Sequence, residues 1–312
     1  MKVLIIGGTA FSGRSQARFL HERGDEVVVA NRGRTAHDLP DAIERWTIDI
    51  NQPETLREAL GDRTFDAAVH MIPMGVEPTA TILGILRGHI GRYLHCGSTG
   101  VYAPLRLCPA DENHPTDPPE ELGGFRSKLD SDETAARLCT EWALSYAILR
   151  PTNIMGPGDV PIDIWGARNP KFFQRVLDGK IISIPDQGQT LLQPVHKDDL
   201  ARGFVNALDH PEATGAFNIT SEYAVTLDHY VQTVGTILGK EPLVEHVPSE
   251  ELMRLHPDPA KLNPAGLKFL RLNMCFSIDK ARCQLGYVPQ WTPEDALEQN
   301  IEWLAAEGLI SR

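Results

Sequence analysis

Gly7, Gly8 and Gly13 form the first pattern in the chain with chemical content. Backbone without side chains can turn sharply there, and its amides, together with the start of a following helix, can hold a diphosphate. The stretch Gly7-Gly8-Thr9-Ala10-Phe11-Ser12-Gly13 lies between an apolar run at 2–6 and an amphipathic pattern at 11–23. Turns alone also use glycines, and it is the strand, loop and helix context that favours a nucleotide. A second apolar run, 26–30, ends in Asn31-Arg32-Gly33-Arg34, where NAD-specific proteins carry an acid for the ribose 2′-hydroxyl. No acid stands there. Asn31 spares a 2′-phosphate the repulsion of a carboxylate, and Arg32 or Arg34 can neutralise it through a planar fork of donors. NADP is therefore favoured, with NAD as the alternative and solvated loop charges as the plain reading of the two arginines.

Such a loop works only if a scaffold holds it. Short β-rich runs recur at 45–48, 66–71, 92–96 and 145–150, separated by helical patterns that include 122–142. That alternation predicts an α/β fold, a doubly wound parallel Rossmann sheet, with residues 1–155 as the dinucleotide-binding domain. Residues 156–312 are expected to form most of a smaller substrate-binding portion, with 193–220 returning to the first domain. Pro- and Gly-bearing stretches at 156–161 and 257–264 mark its irregular parts, and helices are expected at 197–208, 226–238 and 293–306. The Pro-rich, acidic interval 104–119 reads as an active-site flank or lid.

Composition narrows the classes of function. A chain of 312 residues with 42% hydrophobic and 23% charged residues has the profile of a folded globular protein. Its formal charge of −12 opposes attraction to phosphate backbones, so a nucleic-acid partner is not expected and a small-molecule substrate is. The five cysteines are scattered and form no CxxC pair, which predicts free thiols and no zinc site. No apolar run reaches the roughly 18 residues of a membrane span, and no cleavage pattern follows Met1, so a cytoplasmic protein is expected.

Further segments carry a resemblance. Gly97-Ser98-Thr99-Gly100-Val101-Tyr102 is similar to a Ser/Thr-x-x-Val-Tyr segment, and Arg150-Pro151-Thr152-Asn153-Ile154-Met155-Gly156-Pro157 to an R-x-x-N-x-x-G-P signature. With the glycine loop, residues 194–201 and the pair of segments at 279–281 and 285–287, they resemble the extended short-chain dehydrogenase/reductases of the NAD-dependent epimerase/dehydratase type. The opening GGTxFxG with Asn-Arg-Gly is similar to a bacterial epimerase-like branch and to chloroplast stem-loop RNA-binding proteins. The resemblance implies that Ser98 polarises a substrate oxygen, that Thr99 and Asn153 bind substrate, and that Lys128 binds the nicotinamide ribose. It also implies that Asp49 and Ile50 line the adenine pocket, that Met71 and Pro151 border the cofactor, and that a homodimer is possible.

The chain departs from that family where its chemistry is usually done. A Tyr-x-x-x-Lys pair uses the lysine charge to lower the tyrosine pKa, so that the phenolate exchanges a proton with substrate. Lys128 is present, but Gly124 occupies the tyrosine position, and no tyrosine lies between Tyr102 and Tyr146. Substitutes for the missing base are Tyr102, Glu112, His114, Glu120 and Glu121, with Tyr102 placed in the catalytic set beside Ser98 and Lys128. Each is also explained as a structural or solvated group. The reading is an NAD(P)-dependent epimerase, dehydratase or reductase acting on a sugar nucleotide or other polyhydroxylated molecule with a non-standard acid/base. The alternatives are a catalytically silent dinucleotide-binding regulator and a redox-neutral lyase or isomerase.

Overall fold

A computed structural model describes residues 1–34, 38–255 and 264–311. In β1 (Lys2–Ile6) side chains alternate between the two faces of the sheet: Val3 and Ile5 enter one apolar core, Leu4 and Ile6 another. All four are fully buried, as in a strand covered by helices on both sides. After α1 (Phe11–Glu22), β2 (Glu26–Asn31) and β3 (Glu44–Thr47) extend the sheet. They are followed by α2 (Glu54–Leu60), β4 (Phe65–His70), α3 (Val76–Leu86), β5 (Ile90–Cys96), α4 (Gly123–Glu141) and β6 (Ser145–Pro151).

Beyond β6 the elements shorten. They run β7 (Ile154–Met155), α5 (Pro170–Leu177), β8 (Ile182–Pro185), β9 (Leu191–Leu192), β10 (Val195–His196), α6 (Lys197–Asp209), β11 (Gly215–Ile219), β12 (Val225–Thr226), α7 (Leu227–Leu238) and β13 (Val244–Val247). The chain ends with α8 (Ser249–Leu255), α9 (Pro264–Leu270), α10 (Asp279–Leu285) and α11 (Pro293–Ala306). Of the irregular interval expected at 257–264, residues 257–263 lie outside the described residues.

The main sheet has seven parallel strands in the order β11-β6-β5-β4-β1-β2-β3. This is a Rossmann-type α/β sheet. The order reverses between β1 and β4, which pair in register from Val3 to Ile6 against Ala67 to His70. Ligand crevices in such sheets open beyond the carboxyl ends of the strands at this switch point. Helices α1, α6 and α10 cover one face, α2, α3 and α4 the other. A third core, built from the segments after β6 together with Val101, Tyr102, Ala110 and Leu129, lies beside the carboxyl ends of β5 and β6.

Among the described residues, no helix is long and apolar enough to cross a membrane. Residues 104–119 do not form a free lid. Ala110 exchanges backbone hydrogen bonds with Cys275 and Ser277, and Glu112 accepts from the Asn218 amide at 2.7 Å, so this loop is stitched to the neighbouring segments.

Candidate functional site

The glycine loop connects β1 to α1, and its shape depends on missing side chains. A Cβ on Gly13 would come within 2.8 Å of the Gly7 carbonyl oxygen and 2.9 Å of the Gly8 Cα, so only glycine lets the first turn of α1 settle onto the loop. Gly7 itself has a φ of +92°, a conformation that L side chains rarely adopt. The first turn of α1 contains no acid, and Arg14 adds positive charge there while pairing with Asp38 at 3.3 Å. A helix start so arranged favours an anion. Phe11 opens the helix and, with Ser12 and Gly13, shapes the loop from behind; Ser12 and Gly13 are buried.

A crevice of about 330 Å³ opens over this loop. Gly7, Thr9 and Ala10 form one wall, and Asn31, Arg32 and Arg34 another. Asp49 and Ile50 close the far side, joined by Ile48, Asn51 and Ile72, which sequence reasoning had not singled out. The signal that could have found Ile72 is an apolar residue directly after the run 66–71; it lies 45% exposed at the crevice lip. The Asn31 side chain accepts from the Gly33 amide at 2.6 Å, bending the chain so that both arginines line the crevice. Neither arginine has a carboxylate partner among the described residues. Asp49 accepts from the amide and side chain of Asn51 at 3.0 and 3.2 Å. Met71 follows β4 and donates its amide to the Ile6 carbonyl, while Pro151 ends β6.

At the carboxyl end of β5, Ser98 is half-buried and its hydroxyl oxygen accepts from the Gly100 amide at 3.1 Å. The hydroxyl proton is thereby left for another acceptor. Lys128, on α4, donates to the carbonyls of Pro73 and Cys96 at 2.9 and 3.0 Å. These bonds fix the ammonium two residues from Ser98 and leave one of its three protons uncommitted. One turn earlier on the same helix Gly124 is exposed, and a Cβ there would meet nothing within 4 Å. Residues i and i+4 share a helix face, so open space lies next to Lys128 where a phenol would stand.

A buried polar chain supports this end of the sheet. The Asp132 carboxylate, one turn beyond Lys128, accepts from the Arg150 guanidinium at 2.8 Å and meets His95 Nε2 at 3.2 Å. Though burial opposes ionisation most, His95 and Arg150 together hold its carboxyl below the ordinary aspartate value. Gly97 sits directly over that carboxylate, where a Cβ would approach an oxygen to 2.8 Å.

Tyr102 belongs to this support rather than to the reacting groups. It is 1% exposed, its hydroxyl accepts from Arg150 at 2.8 Å, and burial pushes the phenol up to about 12. The structure therefore sets it apart from the expected catalytic set, because burial keeps the phenol protonated although the Arg150 guanidinium pulls the other way, and such a phenol is no base at neutral pH. His114 is committed too: Nε2 accepts from the Arg106 amide at 2.8 Å and Nδ1 bonds the Pro115 carbonyl at 2.9 Å. Of the five substitutes only Glu120 and Glu121 are exposed, in the turn just before α4.

Thr99 donates its hydroxyl to the Pro151 carbonyl at 3.2 Å, and the Asn153 amide reaches the Met274 sulfur at 3.4 Å. Both border the apolar third core.

Residues 3–220 match the family model described as the NAD dependent epimerase/dehydratase family. The chain is 27% identical over 306 residues to the chloroplast stem-loop binding protein of 41 kDa b of Arabidopsis thaliana, covering 93% of this chain and 75% of the relative. It is 23% identical over 326 residues to the UDP-glucose 4-epimerase of Corynebacterium glutamicum, covering 94% and 92%. Among solved structures, the UDP-glucose 4-epimerase of Thermotoga maritima with UDP-glucose superposes with a TM-score of 0.77 at 18% identity over 98% of this chain and 99% of that one. By sequence and by fold, the chain belongs to the NAD dependent epimerase/dehydratase family.

Proposed function

We propose that the protein is an NADP-preferring enzyme that moves a hydride to or from a carbon bearing a carbonyl or hydroxyl oxygen. The observation that carries this reading is the cradle: Gly13 packed on the Gly7 carbonyl at an acid-free helix start, with Lys128 anchored by the Cys96 carbonyl at the far end of the same sheet edge. The loop amides and the start of α1 hold the diphosphate, Arg32 and Arg34 the 2′-phosphate, Asp49 and Ile50 the adenine, and Lys128 the nicotinamide ribose. Residues 1–155 thus hold the cofactor, and 156–312 supply most of the substrate side. When bound, NADP(H) supplies or accepts the hydride.

The remaining chemistry falls to the chain's own groups. Ser98 donates its free proton to the substrate oxygen and polarises the C–O bond, and the third proton of Lys128 adds positive charge nearby. In the reducing direction the carbonyl carbon gains the hydride and its oxygen a proton, drawn from water that enters the open space at Gly124. The non-standard acid/base of this site is accordingly solvent relayed through Ser98, with Glu120 and Glu121 at the entrance. The sugar-nucleotide expectation is supported by relatives named UDP-glucose 4-epimerase.

Calorimetric titration with NADP and with NAD tests the cofactor reading. NADP should bind at least tenfold tighter than NAD, and Arg32→Ala with Arg34→Ala should abolish the difference by weakening NADP alone by about 10- to 100-fold, since charge-assisted bonds are worth about 1.5–3 kcal/mol. Tighter binding of NAD overturns the NADP preference. No heat with either dinucleotide overturns the whole reading.

A further inference from the structure

One carboxylate lies behind both Ser98 and Lys128. Asp132 follows Lys128 by one turn of α4 and is 1% exposed. Its oxygens reach two strands: one accepts from Arg150 Nε of β6 at 2.8 Å, and the other lies 3.2 Å from His95 Nε2 of β5. The carboxylate also packs directly on the chain that leaves β5. A Cβ on Gly97 would fall 2.8 and 2.9 Å from its two oxygens and 3.1 Å from the stem of Arg150. Gly97 joins Cys96, whose carbonyl accepts from Lys128 at 3.0 Å, to Ser98.

The segment 96–98 is therefore bracketed. On its N-terminal side His95 meets Asp132 and also Ser131 Oγ at 3.2 Å, and Ser131 donates to the Lys128 carbonyl at 2.8 Å. On its C-terminal side Tyr102, in the tight turn 99–102 that follows Ser98, accepts from the same Arg150 that Asp132 holds. Ion pairs buried this deeply add little stability over apolar side chains of equal volume, because both charges give up their hydration. What this one supplies is direction. Apolar contacts are non-directional and let a helix slide, whereas a carboxylate bonded to one strand and seated on the other fixes how α4 lies across β5 and β6.

We infer that Asp132 is a positioning residue of the dinucleotide site: by gripping Arg150 and meeting His95 it sets the Cys96–Ser98 backbone, and through the Cys96 carbonyl it aims the Lys128 ammonium at the nicotinamide ribose. This rests on the dinucleotide-dependent reading above and deepens it. In that reading the adenosine end of the cofactor, held by Arg32, Arg34 and Asp49, is independent of Asp132.

The test uses the full-length protein and two probes in a calorimeter: NADPH, and 2′,5′-ADP, which carries the adenosine and its 2′-phosphate but no nicotinamide ribose. Asp132→Asn keeps the side-chain volume and an oxygen for Arg150. It should weaken NADPH about tenfold, the loss of one charge-assisted hydrogen bond, and leave 2′,5′-ADP within about twofold of the parent, which also shows that the variant folds. In a Lys128→Met background the same substitution should cost less than about twofold, because residues that act through one another are not additive. Gly97→Ala disturbs the seat of the carboxylate from another segment and leaves every polar group in place. It should reproduce the pattern, and it decides the question if Asp132→Asn loses its fold. Equal losses of NADPH and 2′,5′-ADP, an unchanged NADPH affinity, or a loss that persists in full without Lys128 overturns the role of Asp132 and leaves the cofactor reading standing. A parent protein that binds neither probe overturns both.

Discussion

In the proposed function, Gly124 carries a hydrogen at the position where a phenol would serve proton exchange. A Cβ there meets open space, and Lys128 lies one turn along the same helix. Gly124→Tyr should therefore fold normally and raise turnover of a bound carbonyl substrate by about 100-fold, within the range for general acid–base catalysis. Consumption of NADPH absorbance measures it, and an unchanged rate would show that position 124 does not face the reacting bond. That no tyrosine lies between Tyr102 and Tyr146 was legible in the sequence. The burial of Tyr102 was not, because it depends on Arg150, 48 positions away, and on the carboxylate of Asp132 that fixes this arginine. Spacing along the chain cannot report where a hydroxyl points when its partner arrives from another strand.

Among elements, the turn after β7 shows how the substrate portion is braced. Asp163 accepts from the amides of Trp165 and Ala167 at 2.8 and 3.1 Å, and Gly166 within this turn touches the backbone of Gly266 on α9 so closely that a Cβ would fall 2.1 Å from its carbonyl carbon. Burial pushes the Asp163 carboxyl up to about 7. In the unfolded chain it ionises near 3.8, so between pH 4 and 7 the unfolded state binds fewer protons and stability falls as pH rises. Asp163→Asn keeps an oxygen for both amides and removes the titration. The stability difference between variant and parent, measured by urea unfolding, should thus shift in the variant's favour by up to about 4 kcal/mol from pH 4 to pH 7. A pH-independent difference would mean that Asp163 is ionised in the folded protein throughout. Sequence reading found six of the seven strands of the Rossmann sheet and its longer helices, but missed β11 and the short helices α5, α8, α9 and α10. Helices of seven or eight residues complete only two turns, too few for a hydrophobic period to stand out. The Asn169-Pro170 start of α5 was the one readable sign, since Asn169 caps the Lys171 amide at 3.0 Å.

For the whole molecule, the crevice lies at the reversal of strand order, so a bound dinucleotide would contact loops after β1, β2 and β3 together with Ile72 after β4. Such a ligand binds the folded state alone. NADP at 100 times its dissociation constant should add about 2.7 kcal/mol of stability and raise the melting temperature by about 5 °C, with less effect from NAD at equal concentration. A melting temperature unmoved by either dinucleotide would contradict the cofactor assignment. The sequence by itself determined the alternation of strand and helix, the glycine loop and the arginines beyond β2, because each depends on neighbours within a few residues. Tertiary structure decided the strand order, the burial of Tyr102 and His114, the stitching of residues 104–119, and the third core built around Tyr102. Many of these features arise where segments distant in the chain meet, as Tyr102 and Arg150 or Asn153 and Met274 do, and burial, charge pairing and available space are properties of the packed molecule that no local pattern encodes.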